Sequence, residues 1–156
     1  MPDDRSGRAK EILAEIFYIT IATVDGAGHP WNTPVYAAYD ERFNFYWASW
    51  TESVHSRNIR QHPEVFLVVY DSTVPEGTGR GVYIRAKAYE LISEHETEEA
   101  LRHYCGRVSK TPPNPSAFLG SRPRRMYRAV PEQIWMNDLK EVDGSIVDIR
   151  IDIELT

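Results

Sequence analysis

The residues best suited to chemistry lie in the run Tyr46-Trp47-Ala48-Ser49-Trp50-Thr51-Glu52-Ser53-Val54-His55-Ser56-Arg57-Asn58, where strand-like sequence passes into helix-like sequence. The first N–H groups of a helix have no intrahelical partner, and the helix dipole favours negative charge beside them, so such a junction attracts anions. Ser49, Thr51, Ser53 and Ser56 add hydroxyl donors there, while His55 and Arg57 add imidazole and guanidinium donors. Together they could hold a phosphate. The same residues also fit a capped surface helix with solvated polar side chains, and spacing alone leaves both readings open. The aromatic residues on the preceding strand positions could wall a planar ring.

Other chemistry-bearing residues carry less. Gly77-Thr78-Gly79-Arg80-Gly81 precedes a strand-like run rather than a helix, so it reads as a turn and not as a phosphate loop. Arg122, Arg124, Arg125 and Arg128 could clamp an anion or form a solvated basic face. The five histidines, His29, His55, His62, His95 and His103, are scattered without metal-ligand spacing, so no metal site is expected. Cys105 falls on an apolar helical face and reads as a core residue. The acidic pairs Asp3-Asp4 and Glu98-Glu99 are adjacent in sequence, which is not the geometry of a paired acid and base. No residue reads as a general acid or base.

These residues need elements to position them. Ala9, Ile12, Leu13 and Ile16 recur at helical spacing and predict an amphipathic first helix. Tyr18 to Val24, a second run through Tyr39 and Phe43 to Trp50 follow as strands. The turns between them are Asp25-Gly26 and Asp40-Glu41-Arg42. Thr51 and Ser53 are candidate caps of a short helix stopped by Pro63. Val65 to Tyr70 and Val82 to Leu91 read as central strands, and Ser93 to Glu96 as the capping box of a further helix. Met126 to Trp135 and the alternating Val147 to Leu155 close the chain, joined by a turn at Asp143-Gly144. The predicted class is α+β: a six- to seven-stranded antiparallel split β-barrel with about three covering helices.

At 156 residues the chain has the size of one domain, residues 1–156. A net charge of -5 argues against nucleic-acid and anionic-membrane partners. One cysteine, no apolar run of membrane-spanning length and a polar N-terminus predict a cytoplasmic protein. The aromatic content is 12%, with four Trp and nine Tyr, and those rings must be placed somewhere.

The run Ile19 to Gly26, then His29 to Val35, Phe45 to Trp50 and Ser53-Val54-His55-Ser56-Arg57-Asn58-Ile59-Arg60-Gln61-His62-Pro63, resembles the pyridoxamine 5'-phosphate oxidase-like, FMN-binding split-barrel family. The likeness covers Ile12 to about Leu91 and, more loosely, Tyr127 to Trp135. It implies a homodimer with FMN in a groove at the interface and an oxidoreductase acting on a small molecule, with a nicotinamide donor as a candidate partner. By the same resemblance Ser53, His55, Ser56 and Asn58 match the phosphate side. Trp47, Ala48, Ser49, Trp50 and Thr51 match the strand end along the flavin, and Asn32, Thr33, Pro34 and Val35 the facing strand. Trp135 matches a late-strand position that approaches the cofactor from the partner. At least two of the four tryptophans should then touch flavin or the partner subunit. His55 stands where the family often has Lys, which leaves Arg57 as the compensating cation. The Arg-Leu-x-Pro-like C-terminal segment of true pyridoxamine phosphate oxidases is missing, so that substrate is not expected. Two alternatives are a non-catalytic flavin or haem binding or storage protein, and a deazaflavin-dependent reductase with an anionic tail on Arg85 and Lys87.

Overall fold

The computed structural model describes residues 4–156. Asp3, half of one acidic pair, lies outside them. Helix α1 (Arg5–Glu15) leads into strands β1 (Tyr18–Val24), β2 (Pro30–Tyr36), β3 (Ala38–Tyr39) and β4 (Phe45–Trp50). Then come helix α2 (Val54–Gln61), strands β5 (Glu64–Tyr70) and β6 (Gly81–Glu90), and helix α3 (Glu94–Gly106). A 3-10 turn, Pro115–Phe118, and the long strands β7 (Arg124–Val142) and β8 (Ser145–Ile153) complete the chain.

All strands join one antiparallel sheet in the order β2-β1-β5-β6-β7-β4-β3, with β8 on β7. Its two ends, β2 and β3, are consecutive in the chain and separated only by Ala37, so the sheet must curl round on itself. The ends then meet through the backbone and not through a hydrogen-bond ladder. This is the expected α+β split barrel with three helices, but it has eight strands where six or seven were expected. The extra strand arises because the run through Tyr39 changes partner. Ala37 still donates to the Phe17 carbonyl at 3.0 Å, whereas Ala38 and Tyr39 already pair with Tyr46 and Phe45.

Strand alternation separates two cores. Ile19, Ile21, Phe45, Trp47, Leu67, Val69, Ile84 and Tyr127 point into the barrel, where Leu13 of α1 and Ile59 of α2 join them. Residues of opposite parity on β4 and β7, Tyr46 and Met126, point outward and pack with Leu101 and Phe118 under α3. Each such aliphatic side chain contributes about 1.5–3 kcal/mol by leaving water.

The helix ends are satisfied by side chains. Asp4, Ser53 and Ser93 cap α1, α2 and α3. At the other end of α1, Arg107 donates to the Leu13 carbonyl at 2.7 Å and to the Ile16 carbonyl at 2.9 Å, with its guanidinium over the Phe17 ring. It thus pairs carbonyls that a helix C-terminus leaves open and places a cation at the negative end of the dipole. Among the described residues no helix is long and apolar enough to cross a membrane.

Candidate functional site

The strand-to-helix junction is built around a hydroxyl and imidazole network. Ser53 caps α2, with its Oγ 3.4 Å from the Ser56 N–H. The His55 Nε2 lies 2.8 Å from the Ser49 Oγ and 3.3 Å from the Ser53 Oγ. The Ser53 hydroxyl also lies 2.7 Å from the Ser56 Oγ. The Tyr127 hydroxyl, near Ser56, donates to Glu90 at 3.1 Å. Burial depresses the His55 pKa, so the ring is held neutral. Burial first, and then the Glu90 charge, push the Tyr127 phenol up to about 12, so it stays a donor.

Asn58 lies deeper, where its side-chain amide donates to the Thr23 hydroxyl at 3.0 Å and ties α2 to β1. Ser56 is fully buried and Asn58 is 5% exposed, so both hold the helix in place from behind. The N–H groups of Val54 and His55 have no intrahelical partner, as the first turn of any helix requires. Arg57 is exposed on the same turn and its guanidinium has no partner among the described residues. Arg60 binds the Thr51 carbonyl and lies 3.4 Å from Glu52, which balances that acid.

The facing strands present free backbone to the same place. Asp25 donates to the His29 carbonyl, which fixes the hydrogen-bonding parity of the β1–β2 ladder. Thr33 and Val35 therefore bond β1, while the backbone groups of Asn32 and Pro34 point the other way. Proline belongs on such an unladdered edge, because it has no N–H to give. On β4 the Asp40 bond to the Asn44 carbonyl and the Thr51 bond to the Pro123 carbonyl fix the parity likewise. Trp47 and Ser49 bond β7, so Ala48 and Trp50 turn their groups away from it. Extending the Ala38–Tyr46 register would set Val35 opposite Ser49, yet no ladder forms there. The result is a seam that opens from Ala37, with Asn32 to Val35 on one lip, Ala48 to Thr51 on the other and the first turn of α2 at its β4 end. It offers the Asn32 and Ala48 N–H donors and the Asn32, Pro34 and Ala48 carbonyl acceptors.

Most of the residues expected from the sequence meet at this seam. Trp47 does so by its backbone only. Its ring is fully buried in the barrel, stacked on Tyr127 at 5.8 Å. Trp31 and Trp50 are exposed on the two lips, at 48% and 57%. Trp135 is not at the seam of its own chain. It lies on the outer face of β7, stacked on Phe66 at 6.1 Å with Arg85 over its ring. Arg85 also reaches Gln133 and Lys87 reaches Glu132, so the two cations proposed for an anionic tail are engaged by β7. Thr23, Tyr127 and Glu90 were not expected from the sequence. Strand periodicity tells that Thr23 and Tyr127 point inward, but nothing local reveals their hydrogen-bond partners. Cys105 is a buried core residue. The loop Gly77 to Arg80 leads into β6 without a helix, as expected.

Comparison with known proteins bears on this arrangement. The sequence profile of the family described as pyridoxamine 5'-phosphate oxidase matches residues 6–138. Among curated proteins none matches significantly. A heme binding protein from Mycobacterium smegmatis superposes with a TM-score of 0.69 at 14% identity, over 96% of this chain and 59% of its own. This chain thus matches less than two thirds of that protein. An FAD-binding protein from Mesorhizobium loti gives 0.64 at 21% identity over 83% and 91%. An F420 reductase gives 0.59 at 20% identity over 86% and 98%. At these identities the likeness is one of fold.

Proposed function

The chain belongs to the pyridoxamine 5'-phosphate oxidase family, and we propose that it holds FMN in the seam and acts as a flavin-dependent oxidoreductase on a small molecule. The observation that carries this reading is the convergence of two unladdered strand edges on a capped helix N-terminus. A planar heterocycle with donors and acceptors along one edge needs such backbone groups, and a phosphate needs the N–H groups of a first helical turn. The donor set fits FMN: Ser49, Thr51, Ser53 and the exposed Arg57 surround that turn, with a neutral His55 as a further N–H donor. Bound FMN would supply the hydride chemistry.

This chain's own residues supply placement. Ser53 and Ser56 fix the turn, Asn58 fixes the helix on β1, and Trp47 with Tyr127 makes a rigid dry floor. We assign the outer face of β1 and β5, where Tyr18, Phe66 and Tyr70 remain exposed, to a second copy of the chain. That assignment also gives Trp135 a route to the partner's seam. The chemistry of the seam fits FMN better than a deazaflavin, because β7 separates Arg85 and Lys87 from it.

Purified protein should carry or take up FMN, show flavin absorbance and be bleached by NADH or NADPH without oxygen. Protein that takes up haem or F420 but not FMN would overturn the cofactor, and FMN that no donor reduces would overturn the enzyme.

A further inference from the structure

Among the described residues β2, β3 and β8 end the sheet, and they differ in how the open edge is protected. Strand β2 carries Pro30 and Pro34, and β3 is only two residues long. Both are ordinary devices against edge-to-edge pairing. Strand β8 has neither. It runs for nine residues, Ser145–Ile153, without proline, glycine, lysine or a break in register. Asp143 and Gly144 have positive φ and make a two-residue hairpin turn, so Val142 and Ser145 bond each other and every odd-numbered residue of β8 bonds β7. The N–H and C=O groups of Ile146, Asp148, Arg150 and Asp152 therefore point away from the sheet. Their side chains share its outer face, where Arg150 lies 2.6 Å from Asp148 and over the Tyr83 ring. Val147, Ile149, Ile151 and Ile153 take the opposite face and are half-buried. Strand β6 accompanies β7 only as far as Met136. From Asn137 to Arg150 the hairpin is a two-stranded ribbon with Leu139, Val142 and Ile146 exposed, and such a ribbon gains stability from a further strand.

We infer that β8 pairs antiparallel with β8 of a second copy of the chain, in the register that sets Ile149 on the two-fold axis. Ile149 is the midpoint of the strand, so this register overlaps its whole length, from Ser145 against the partner's Ile153 onward. Even-numbered residues meet even-numbered ones, as their free backbone groups require. Asp148 then faces the partner's Arg150, and Arg150 the partner's Asp148. On the other face Ile149 meets its own copy and Val147 meets the partner's Ile151, so apolar opposes apolar. Other registers lose this match. Centring the pair on Arg150 sets arginine against arginine and Asp148 against the partner's Asp152, and centring it on Ile151 sets Asp148 against the partner's Glu154. The contact is separate from the copy assigned to the outer face of β1 and β5, because β6 and β7 lie between β5 and β8. It does not rest on the FMN reading.

The test uses the whole chain. Asp148→Arg sets arginine against arginine across the axis, and Arg150→Asp sets aspartate against aspartate. Each variant alone should therefore sediment with half the mass of the wild-type assembly. An equimolar mixture of the two should regain the full mass, since each chain then faces its complement, and mixing could not rescue a side chain whose role lies within its own chain. Ile149→Cys should form an intermolecular disulfide in mild oxidant, because a non-hydrogen-bonded pair sets Cα atoms about 4.5 Å apart, within disulfide reach. Ile151→Cys, which faces Val147, should not, and nor should the wild type with its buried Cys105. Equal mass in the wild type and both variants, no recovery on mixing, or a crosslink through Ile151→Cys in place of Ile149→Cys would overturn the inference. FMN titration is a separate readout: saturable FMN binding with a failed assembly test sinks this contact and spares the seam, and the converse result does the reverse.

Discussion

Helices α2 and α3 begin alike and bury opposite chemistry. Each starts on a serine whose hydroxyl accepts an N–H three residues on, from Ser56 in one case and Glu96 in the other. Behind the cap α3 buries Thr97, Ala100, Leu101 and Cys105. Helix α2 buries His55, Ser56 and Asn58, with Ile59 as its only buried aliphatic residue. Burial of an apolar side chain is worth kilocalories, whereas a satisfied buried hydrogen bond returns only about 1 kcal/mol net and is costly if broken. Helix α3 therefore holds a sheet face together. The polar face of α2 does little for stability that an apolar face would not do better, and its effect is to fix where the first turn of the helix points.

The contrast can be broken in order of expected effect. Leu101→Ala should cost about 2–5 kcal/mol in urea unfolding, because the side chain is 1% exposed, and should leave FMN affinity of the folded protein unchanged. Asn58→Ala takes away the donor to the Thr23 hydroxyl, which keeps only its 3.5 Å bond to the Trp31 carbonyl, and should cost about 1–3 kcal/mol. The double variant Thr23→Val with Asn58→Leu should recover most of that loss, and failure to recover it would mean that the pair does more than satisfy itself. Ser53→Ala alone should cost about 1 kcal/mol through the lost cap.

The smallest effect is on pH. Burial lowers the His55 pKa, so the unfolded chain takes up a proton at a higher pH than the folded chain does. Its contribution to stability is then full above about pH 6.5 and is lost as pH falls below that value. Urea midpoints of wild type and His55→Gln should converge as pH falls through that range. Parallel curves would show that His55 does not titrate on unfolding.

Sequence periodicity revealed the helices and the inward parity of most strands, since Ala9 with Leu13 and Ile84 with Ala86 follow helix and strand periods. The break at Ala37 was not legible, because no Gly or Pro marks it and only a change of strand partner creates it. The last stretch of β7 was missed for a similar reason. Asn137, Asp138, Lys140 and Glu141 look like loop, yet they extend the ladder with β8, turned at Asp143 and Gly144 in the left-handed region. The Asp25-Gly26 hairpin was correctly placed, although the positive φ falls on Gly28, where no side chain would meet an obstacle except the backbone itself. At the site, the hydroxyl donors around α2 were legible from residue type and spacing. The free edge of β2 was legible only in part, through Pro34. The Tyr127 and Glu90 end of the network joins residues distant in sequence and needed the fold.

The central claim is that the first turn of α2 and the seam beside it hold the phosphate and ring of FMN, and an FMN titration followed by flavin fluorescence tests it most directly. Wild type should bind one FMN per chain, and Ser53→Ala with His55→Ala should bind at least tenfold more weakly while remaining folded. No saturable binding by the wild type, or equal affinity in the double variant, would contradict the account.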